Sequence, residues 1–459
     1  MNIVVLNGSP KGDLSVTLQY VRYAAQKFPQ HTFRFFPVAQ KIRTLEKDDA
    51  SFREVIDAVR EADAVLWAFP LYFLLVCSQY KRFIEMIFER NQLPAFQGKY
   101  TASVSTSLHF FDHTAHNYIH AICDDLQMKY LGAYSAEMYD LMKKRERKRW
   151  LFFAETFVDA VSRRIPTAIA YPPLMPRAFA YEPGPSDATI DAGARKILVI
   201  ADGQKPSGNV NALISSFTGN FRGGVDVVRL TDIDIRGGCL GCCKCGLDNV
   251  CEYEGKDGFI DFYNEEVKKA DTVVFAGAIH DRYLSATWKT FFDRSFFNTH
   301  VPTLVGKKIA FLISGSLGQI PNLRQILEAY GEFQQVDLAG IVTDETGDSR
   351  LMDRMLAELA GTIVRPVPEG CTRPMTFLGV GGWKIFRDEV YGKLRFVFQS
   401  DHRYYKKHGL YDFPQKNHKV RRMNLIMTLL TKMPPVRKKF LKALKDEMVK
   451  PVKYIAENR

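Results

Sequence analysis

The sequence predicts an α/β protein made of two consecutive doubly wound parallel sheets with a basic helical C-terminal extension. Three observations carry this. Short β-branched runs alternate with stretches of helical periodicity, the whole alternation occurs twice, and the excess positive charge is confined to the last 89 residues. The strands read as continuous apolar runs, the pattern of strands covered by helices on both faces. Right-handed helical crossovers between them give open sheets with ligand sites at their carboxyl ends.

In the first half the strands are Ile3–Asn7, Thr32–Pro37, Ala64–Phe69, Tyr100–Thr106 and a short one near Tyr130–Tyr134. Helices fall at Thr17–Lys27, Phe52–Glu61, Ser78–Glu89 and Thr114–Asp125, with Trp150–Arg163 closing the unit. In the second half the strands are Lys196–Ala201, Val225–Leu230, Thr272–Ala276, Lys308–Ser314 and Asp337–Thr343. The helices are Val210–Phe217, Phe259–Lys268, Thr287–Phe296 and Leu323–Tyr330, closed by Ser349–Leu359.

The halves align with each other. The first strands stand 194 residues apart. From Ala62-Asp63-Ala64-Val65 against Ala270-Asp271-Thr272-Val273 onward the offset is 208, and it holds for Lys81 and Lys289, Glu85 and Asp293, and Gly98-Lys99 and Gly306-Lys307. The fourteen extra residues lie between the first and third strands of the second copy, where the cysteines are. The expected organisation is a domain at 1–168, a proline-rich linker at 169–194, a domain with the cysteine loop at 195–368 and the extension at 369–459.

Composition sets limits. The chain is 46% hydrophobic and 25% charged, ordinary values for globular domains. Its net charge of +12 resolves into +14 over Cys371–Arg459 and −2 over residues 1–370, so the basicity belongs to the extension. No apolar run has the length of a membrane span, and Met1-Asn2 leads straight into the first strand. The expectation is a cytoplasmic protein without a signal peptide.

Five of the eight cysteines fall within thirteen residues, as Cys239-x2-Cys242-x2-Cys245-x5-Cys251 with Cys243 as a spare. Three closely spaced thiolates with a fourth after a turn suit a cubane iron–sulfur cluster. Structural zinc usually takes two separated Cys-x2-Cys knuckles, and there is one here. Disulfides are disfavoured where thiols stay reduced. Zinc, free redox thiols and a loop that binds nothing remain open beside the cluster.

Three strand-end loops of the first copy are candidate ligand loops. Asn7-Gly8-Ser9-Pro10-Lys11-Gly12 leads through Ser15 and Thr17 into a helix, with glycine, hydroxyls and helix N-terminal amides that can hold one phosphate. It is neither Gly-x-Gly-x-x-Gly nor Gly-x4-Gly-Lys-Ser, so a mononucleotide fits better than a dinucleotide. Pro70-Leu71-Tyr72-Phe73 faces Ser105-Thr106-Ser107-Leu108, an apolar loop opposite a hydroxyl-bearing one, which makes a slot for a flat heteroaromatic ring.

With Gly8-Ser9-Pro10, Ser15-x-Thr17, Pro70-Leu71-Tyr72, Lys81, Lys289-x3-Asp293-Arg294 and the cysteine motif, the chain resembles the flavodoxin-like NADPH-dependent FMN reductases, and among them the iron–sulfur flavoproteins. The resemblance covers about residues 1–165 and 195–365 and makes the two sheets tandem flavodoxin-like domains. It implies FMN, with its phosphate at Ser9, Lys11, Ser15 and Thr17 and its ring between Pro70–Phe73 and Ser105–Ser107. It implies a [4Fe–4S] cluster on Cys239, Cys242, Cys245 and Cys251, and dimers with flavin sites close to the partner; here the two copies would form an internal pseudo-dimer, with or without further homo-oligomers. The second copy offers Ser207, Asn209 and Asn211 as a phosphate loop but lacks Pro-x-Tyr after its third strand. The first copy has Val16 where the family usually places Asn. One FMN per chain and two are both open.

The expected function is electron transfer from NAD(P)H or a ferredoxin-like donor through FMN and the cluster to an acceptor, a small molecule or a redox partner protein. No side chain is needed as a nucleophile. The alternative is a non-enzymatic electron carrier. His116 and His120 are expected to face solvent or a ring rather than a metal. His280-Asp281-Arg282 reads either as an anion site or as a surface salt-bridge loop. In the extension, Val436–Val449 has apolar residues on one helical face and lysines on the other, suited to docking on the body or to an anionic membrane surface. Nothing forms a nucleic-acid module.

Overall fold

The computed structural model describes residues 1–175, 178–186, 189–203, 208–368, 372–413 and 417–443. Ser207, and the Leu444–Val449 part of the amphipathic stretch, lie outside them. The chain forms two compact units, Met1–Tyr404 and Tyr405–Arg459.

The first sheet contains β1 (Asn2–Asn7), β2 (Thr32–Phe36), β3 (Ala64–Pro70), β4 (Tyr100–Ser107) and β5 (Lys129–Glu137), with α1 (Val16–Lys27), α2 (Ile42–Lys47), α3 (Asp49–Glu61), α4 (Ser78–Glu89), α5 (Leu93–Phe96), α6 (Asp112–Asp125) and α7 (Lys144–Ser162) around it. The second contains β6 (Ile197–Ala201), β7 (Val225–Arg229), β8 (Thr272–His280), β9 (Tyr283–Leu284), β10 (Lys308–Ser314) and β11 (Asp337–Thr343). Its helices are α8 (Asn209–Gly219), α9 (Cys245–Asp248), α10 (Phe259–Phe262), α11 (Ala286–Ser295), α12 (Pro321–Gln334) and α13 (Ser349–Val364). The extension carries α14 (Phe377–Tyr391), α15 (Gln399–Lys407) and α16 (His418–Leu430).

Strand order is β2-β1-β3-β4-β5 in one sheet and β7-β6-β8-β10-β11 in the other, all parallel, with β9 pairing antiparallel to β8. This is the flavodoxin-like order, whose switch point lies between β1 and β3, and between β6 and β8. Both sheets are sealed on two faces. Ile3, Val5, Leu66 and Ala102 pack against Leu18, Val21, Phe157 and Val161; Ile197, Val199, Val274 and Leu312 pack against Leu213, Phe217, Met352 and Leu356. Each large apolar side chain buried this way contributes about 1.5–3 kcal/mol.

Two expectations change here. The segment read as one helix over 259–268 is α10 followed by a single π-helical turn, Tyr263–Val267. The strand β8, expected to end at Ala276, runs on to His280 and turns back, pairing His280 with Tyr283. A matching turn follows β3 208 residues earlier, bridging Tyr72 and Leu75.

The halves meet through α4 and α11, and the contact is reciprocal. Glu85 Oε1 accepts from the amide of Ala286 at 2.7 Å, and Asp293 Oδ2 accepts from the amide of Ser78 at 2.7 Å. Each acid also pairs with the lysine one turn before it, Lys81 at 2.8 Å for Glu85 and Lys289 for Asp293. Each helix start, with its unsatisfied amides and positive dipole end, is thus capped by the other half's carboxylate.

Candidate functional site

The phosphate-type loop is built by its own backbone. Asn7 ends β1; its Oδ1 accepts from the Ser9 amide and its Nδ2 donates to the Gly12 carbonyl, both at 3.1 Å. Ser9 is fully buried, and its Oγ accepts from the Lys11 amide at 3.3 Å. Ser15 caps α1, its Oγ accepting from Leu18 at 3.3 Å, and a capping hydroxyl keeps its proton for a ligand. Thr17 Oγ1 hydrogen-bonds Thr106 Oγ1 at 2.6 Å, which fixes α1 to the end of β4.

The Leu71 amide donates to the Thr106 carbonyl at 3.2 Å, holding the two ring-slot loops side by side. Phe73 stacks on Phe292 with ring centroids 6.4 Å apart and meets Tyr330 and Phe333 edge-on at 5.8 Å, so it packs between the halves. Tyr72 reaches the cysteine loop. Its hydroxyl lies where a Cβ on Gly241 would sit, and Gly241 has φ +64°, so both space and backbone demand glycine.

That loop runs between β7 and β8. Arg294 on α11 holds its base, donating to both Asp257 carboxylate oxygens at 2.7 and 2.9 Å and to the Gly237 carbonyl at 3.0 Å. Gln79 on α4 donates to the Cys239 carbonyl at 3.0 Å. The extension grips the other end. Ser400 Oγ donates to the Gly246 carbonyl at 3.0 Å and Arg403 to that of Leu247 at 2.7 Å. Buried Asp401 accepts from His300 Nδ1 at 2.6 Å and from Thr299. Gly246 lies against the Val397 carbonyl with no room for a Cβ. Gly246→Ala is therefore expected to cost about 1–3 kcal/mol and to speed limited proteolysis near Val397, read by mass spectrometry.

These pieces enclose one cavity of about 340 Å³. One wall is the strand-end loops of the first sheet, with Lys11, Ser15, Pro70, Leu71, Tyr72, Phe73, Thr106 and Ser107. The facing wall carries all five clustered cysteines, Cys239, Cys242, Cys243, Cys245 and Cys251. The extension closes it with Phe386, Leu394, Val397 and Phe398. The lining is mostly apolar, with Lys11, Ser15, Glu252, Asp293, Arg294 and Lys393 among its polar residues, and the size falls within the range of about 300–1,000 Å³ usual for cofactor sites. Ser9, Thr17 and Ser105 stand behind its surface; Ser105 Oγ hydrogen-bonds His116 Nε2 at 2.8 Å.

Burial works against ionising three of the five thiols, Cys239, Cys243 and Cys245. Burial pushes Cys245 up to about 12 and moves Cys239 and Cys243 in the same direction, with the neighbouring sulfurs adding to the effect for Cys239 and Cys245. Ionising them needs a compensating cation. Among the described residues, no three His, Cys, Asp or Glu side chains are gathered as a metal site. The sulfurs match a soft metal in kind and share a wall, yet they are not drawn together.

The candidate phosphate loop of the second sheet is otherwise engaged. Asn209 Nδ2 donates to the Phe179 carbonyl at 2.9 Å and to Asp344 at 2.6 Å, and its Oδ1 accepts from the Tyr181 amide at 2.8 Å. Asn211 accepts from Arg229 at 3.1 Å. Linker residues thus occupy the side chain expected to face a phosphate. His116, expected at solvent or a ring, is buried between Ser103 and Ser105 with the Phe69 ring 5.4 Å away; His120 also faces a ring, stacking on Tyr130 at 3.9 Å. Arg282 is buried too, bidentate on Asp125 at 2.7 and 2.5 Å. Asp281 accepts from Lys81 at 2.9 Å, and burial pushes its carboxyl up to about 7 against that pull. The salt bridge expected of this loop is present but buried, and Arg282 is not open to an anion.

Sequence spacing gave no sign of the closing residues Phe386, Leu394 and Phe398, which follow no motif. Among solved structures, the chain is similar to the flavoenzyme NAD(P)H:acceptor oxidoreductase FerB from Paracoccus denitrificans, at 18% identity and TM-score 0.29, covering 35% of this chain and 97% of that one. It is similar to the NADH:FMN oxidoreductase EMOB at 19% identity and TM-score 0.29, covering 34% and 87%. An FMN-dependent NADH-azoreductase from Bacillus anthracis, in complex with FMN, matches at 13% identity and TM-score 0.27, covering 36% and 99%. No curated protein matches. Residues 1–138, which hold the first sheet and its strand-end loops, match the model of the NADPH-dependent FMN reductase family.

Proposed function

We propose that this chain is an FMN-dependent oxidoreductase that takes electrons from NAD(P)H, with one flavin site per chain facing a cysteine-ligated [4Fe–4S] cluster. One observation carries the proposal: a single cavity is walled by the strand-end loops of the first half and by the clustered cysteines of the second. The family match over residues 1–138 supports FMN and NADPH. In this reading the chain is an ancient tandem duplication that divided the labour, and the cytoplasm keeps its thiols reduced.

FMN, when bound, supplies hydride acceptance and transfer of one or two electrons. The chain's own residues do the rest. Lys11, Ser15 and the start of α1 bind the phosphate by charge, hydroxyl and backbone amides. Pro70–Phe73 and Thr106–Ser107 orient the ring, and Phe386, Leu394 and Phe398 keep water from it. Cys239, Cys242, Cys245 and Cys251 would hold the cluster, whose positive iron would compensate their ionisation. The engagement of Asn209 by the linker favours one flavin rather than two.

Iron, sulfide and flavin measured on one anaerobic preparation test this. The expected result is one FMN with one cluster per chain, and Cys239→Ser with Cys245→Ser removing iron while FMN stays. Zinc in place of iron would overturn the cluster, and two FMN per chain would overturn the single site. Asn209→Ala should leave FMN content unchanged, whereas Lys11→Ala with Ser15→Ala should weaken FMN binding at least tenfold by fluorescence titration.

A further inference from the structure

The C-terminal unit has a surface that the redox reading does not use. Every residue from 417 to 443 is exposed except Met427, Thr431 and Val436, which are half-buried. Asn417 caps α16, its side chain accepting from the Val420 amide at 3.1 Å, and all of that helix's side chains but Met427 are exposed. Leu425 is 62% exposed, Leu429 55%, Met423 54% and Ile426 48%, and Met433, Phe440 and Leu441 are exposed beyond them. Cations bracket this apolar block: Lys419, Arg421 and Arg422 before it, Lys432, Arg437, Lys438, Lys439 and Lys442 after it. Between 417 and 443 there is not one aspartate or glutamate.

We propose that residues 417–443 bind the anionic surface of a lipid bilayer and hold the enzyme there as a peripheral protein. Exposed apolar side chains in such number are costly in water and gain by entering the headgroup–acyl boundary. Eight cations without an acid match a negatively charged leaflet, and a bilayer receives them in any arrangement because it has no fixed shape to complement. Among the described residues no helix is long and apolar enough to cross a membrane, so the segment lies on the surface. The inference goes beyond the flavin reading and does not depend on it.

Co-sedimentation of the full chain with vesicles tests it. Binding is expected to phosphatidylglycerol vesicles at low salt, to weaken at high salt, and to be slight with pure phosphatidylcholine. Arg437→Gln/Lys438→Gln/Lys439→Gln should lower the partition coefficient about 100-fold. Leu425→Asp/Leu429→Asp should abolish binding while flavin content and unfolding midpoint stay those of the parent, since both side chains are exposed. Absence of binding to anionic vesicles at low salt overturns the proposal. So does binding that ignores both variants. Self-association in solution that Leu425→Asp/Leu429→Asp dissolves, without lipid binding, would assign the surface to a second copy of the chain. Capture of an acidic protein in the absence of lipid binding would likewise overturn it.

Discussion

Asp293→Ala is expected to lower stability by about 3–5 kcal/mol, the cost of leaving a buried charge without its partner. Lys289 and Asp293 are both essentially inaccessible to water, and Asp293 also receives the Ser78 amide that opens α4. Its removal strips an ammonium and a helix start together. The counterpart change, Glu85→Ala, should cost less, because Lys81 keeps Asp281 at 2.9 Å. Urea unfolding of both variants at neutral pH makes the comparison; equal losses would show that the second acid does not compensate. Adding Lys289→Met to Asp293→Ala should recover much of the loss, since an apolar group of similar volume needs no partner.

Acid is expected to remove about 3 kcal/mol through His116 alone. The ring is buried against β4 between Ser103 and Ser105, and burial lowers its pKa from 6.5 to about 4. Between those values the unfolded chain takes up a proton that the folded chain refuses. Stability from this source is therefore intact above pH 6.5 and drains away as the pH falls towards 4. His116→Gln removes the titrating group, so its unfolding free energy should fall less steeply than the parent's from pH 6.5 to 4.5. Parallel pH profiles for the two proteins would refute the assignment. Carboxylates contribute equally to both and cancel in the difference.

Much of the fold was legible because parallel strands sealed on both faces have to be continuous and β-branched. Lys308–Ser314 and Asp337–Thr343 begin and end where the sequence places them, as does the helix Ser78–Glu89. Strand-end loops were legible for a related reason: glycine, proline and hydroxyls interrupt such runs at defined places. Burial of polar groups was not legible. His116 and Arg282 look like surface residues until Ser103, Ser105 and Asp125 arrive from elsewhere in the chain. The closing segment was hidden by its charge. Residues up to Tyr404 belong to the first compact unit, but Lys384, Arg387 and Lys393 made them read like the rest of a basic tail, and Phe386, Leu394 and Phe398 announce their place by no spacing.

The crossed caps of α4 and α11 have a kinetic meaning. Two separate chains held by such contacts would part on dilution, and each would then expose uncapped amides and unpaired lysines. A shared backbone turns that encounter into a first-order event at a high effective concentration. The contact then survives at any protein level. The cysteine loop, held at Cys239 by Gln79 of α4, stays aimed across the seam however dilute the protein is.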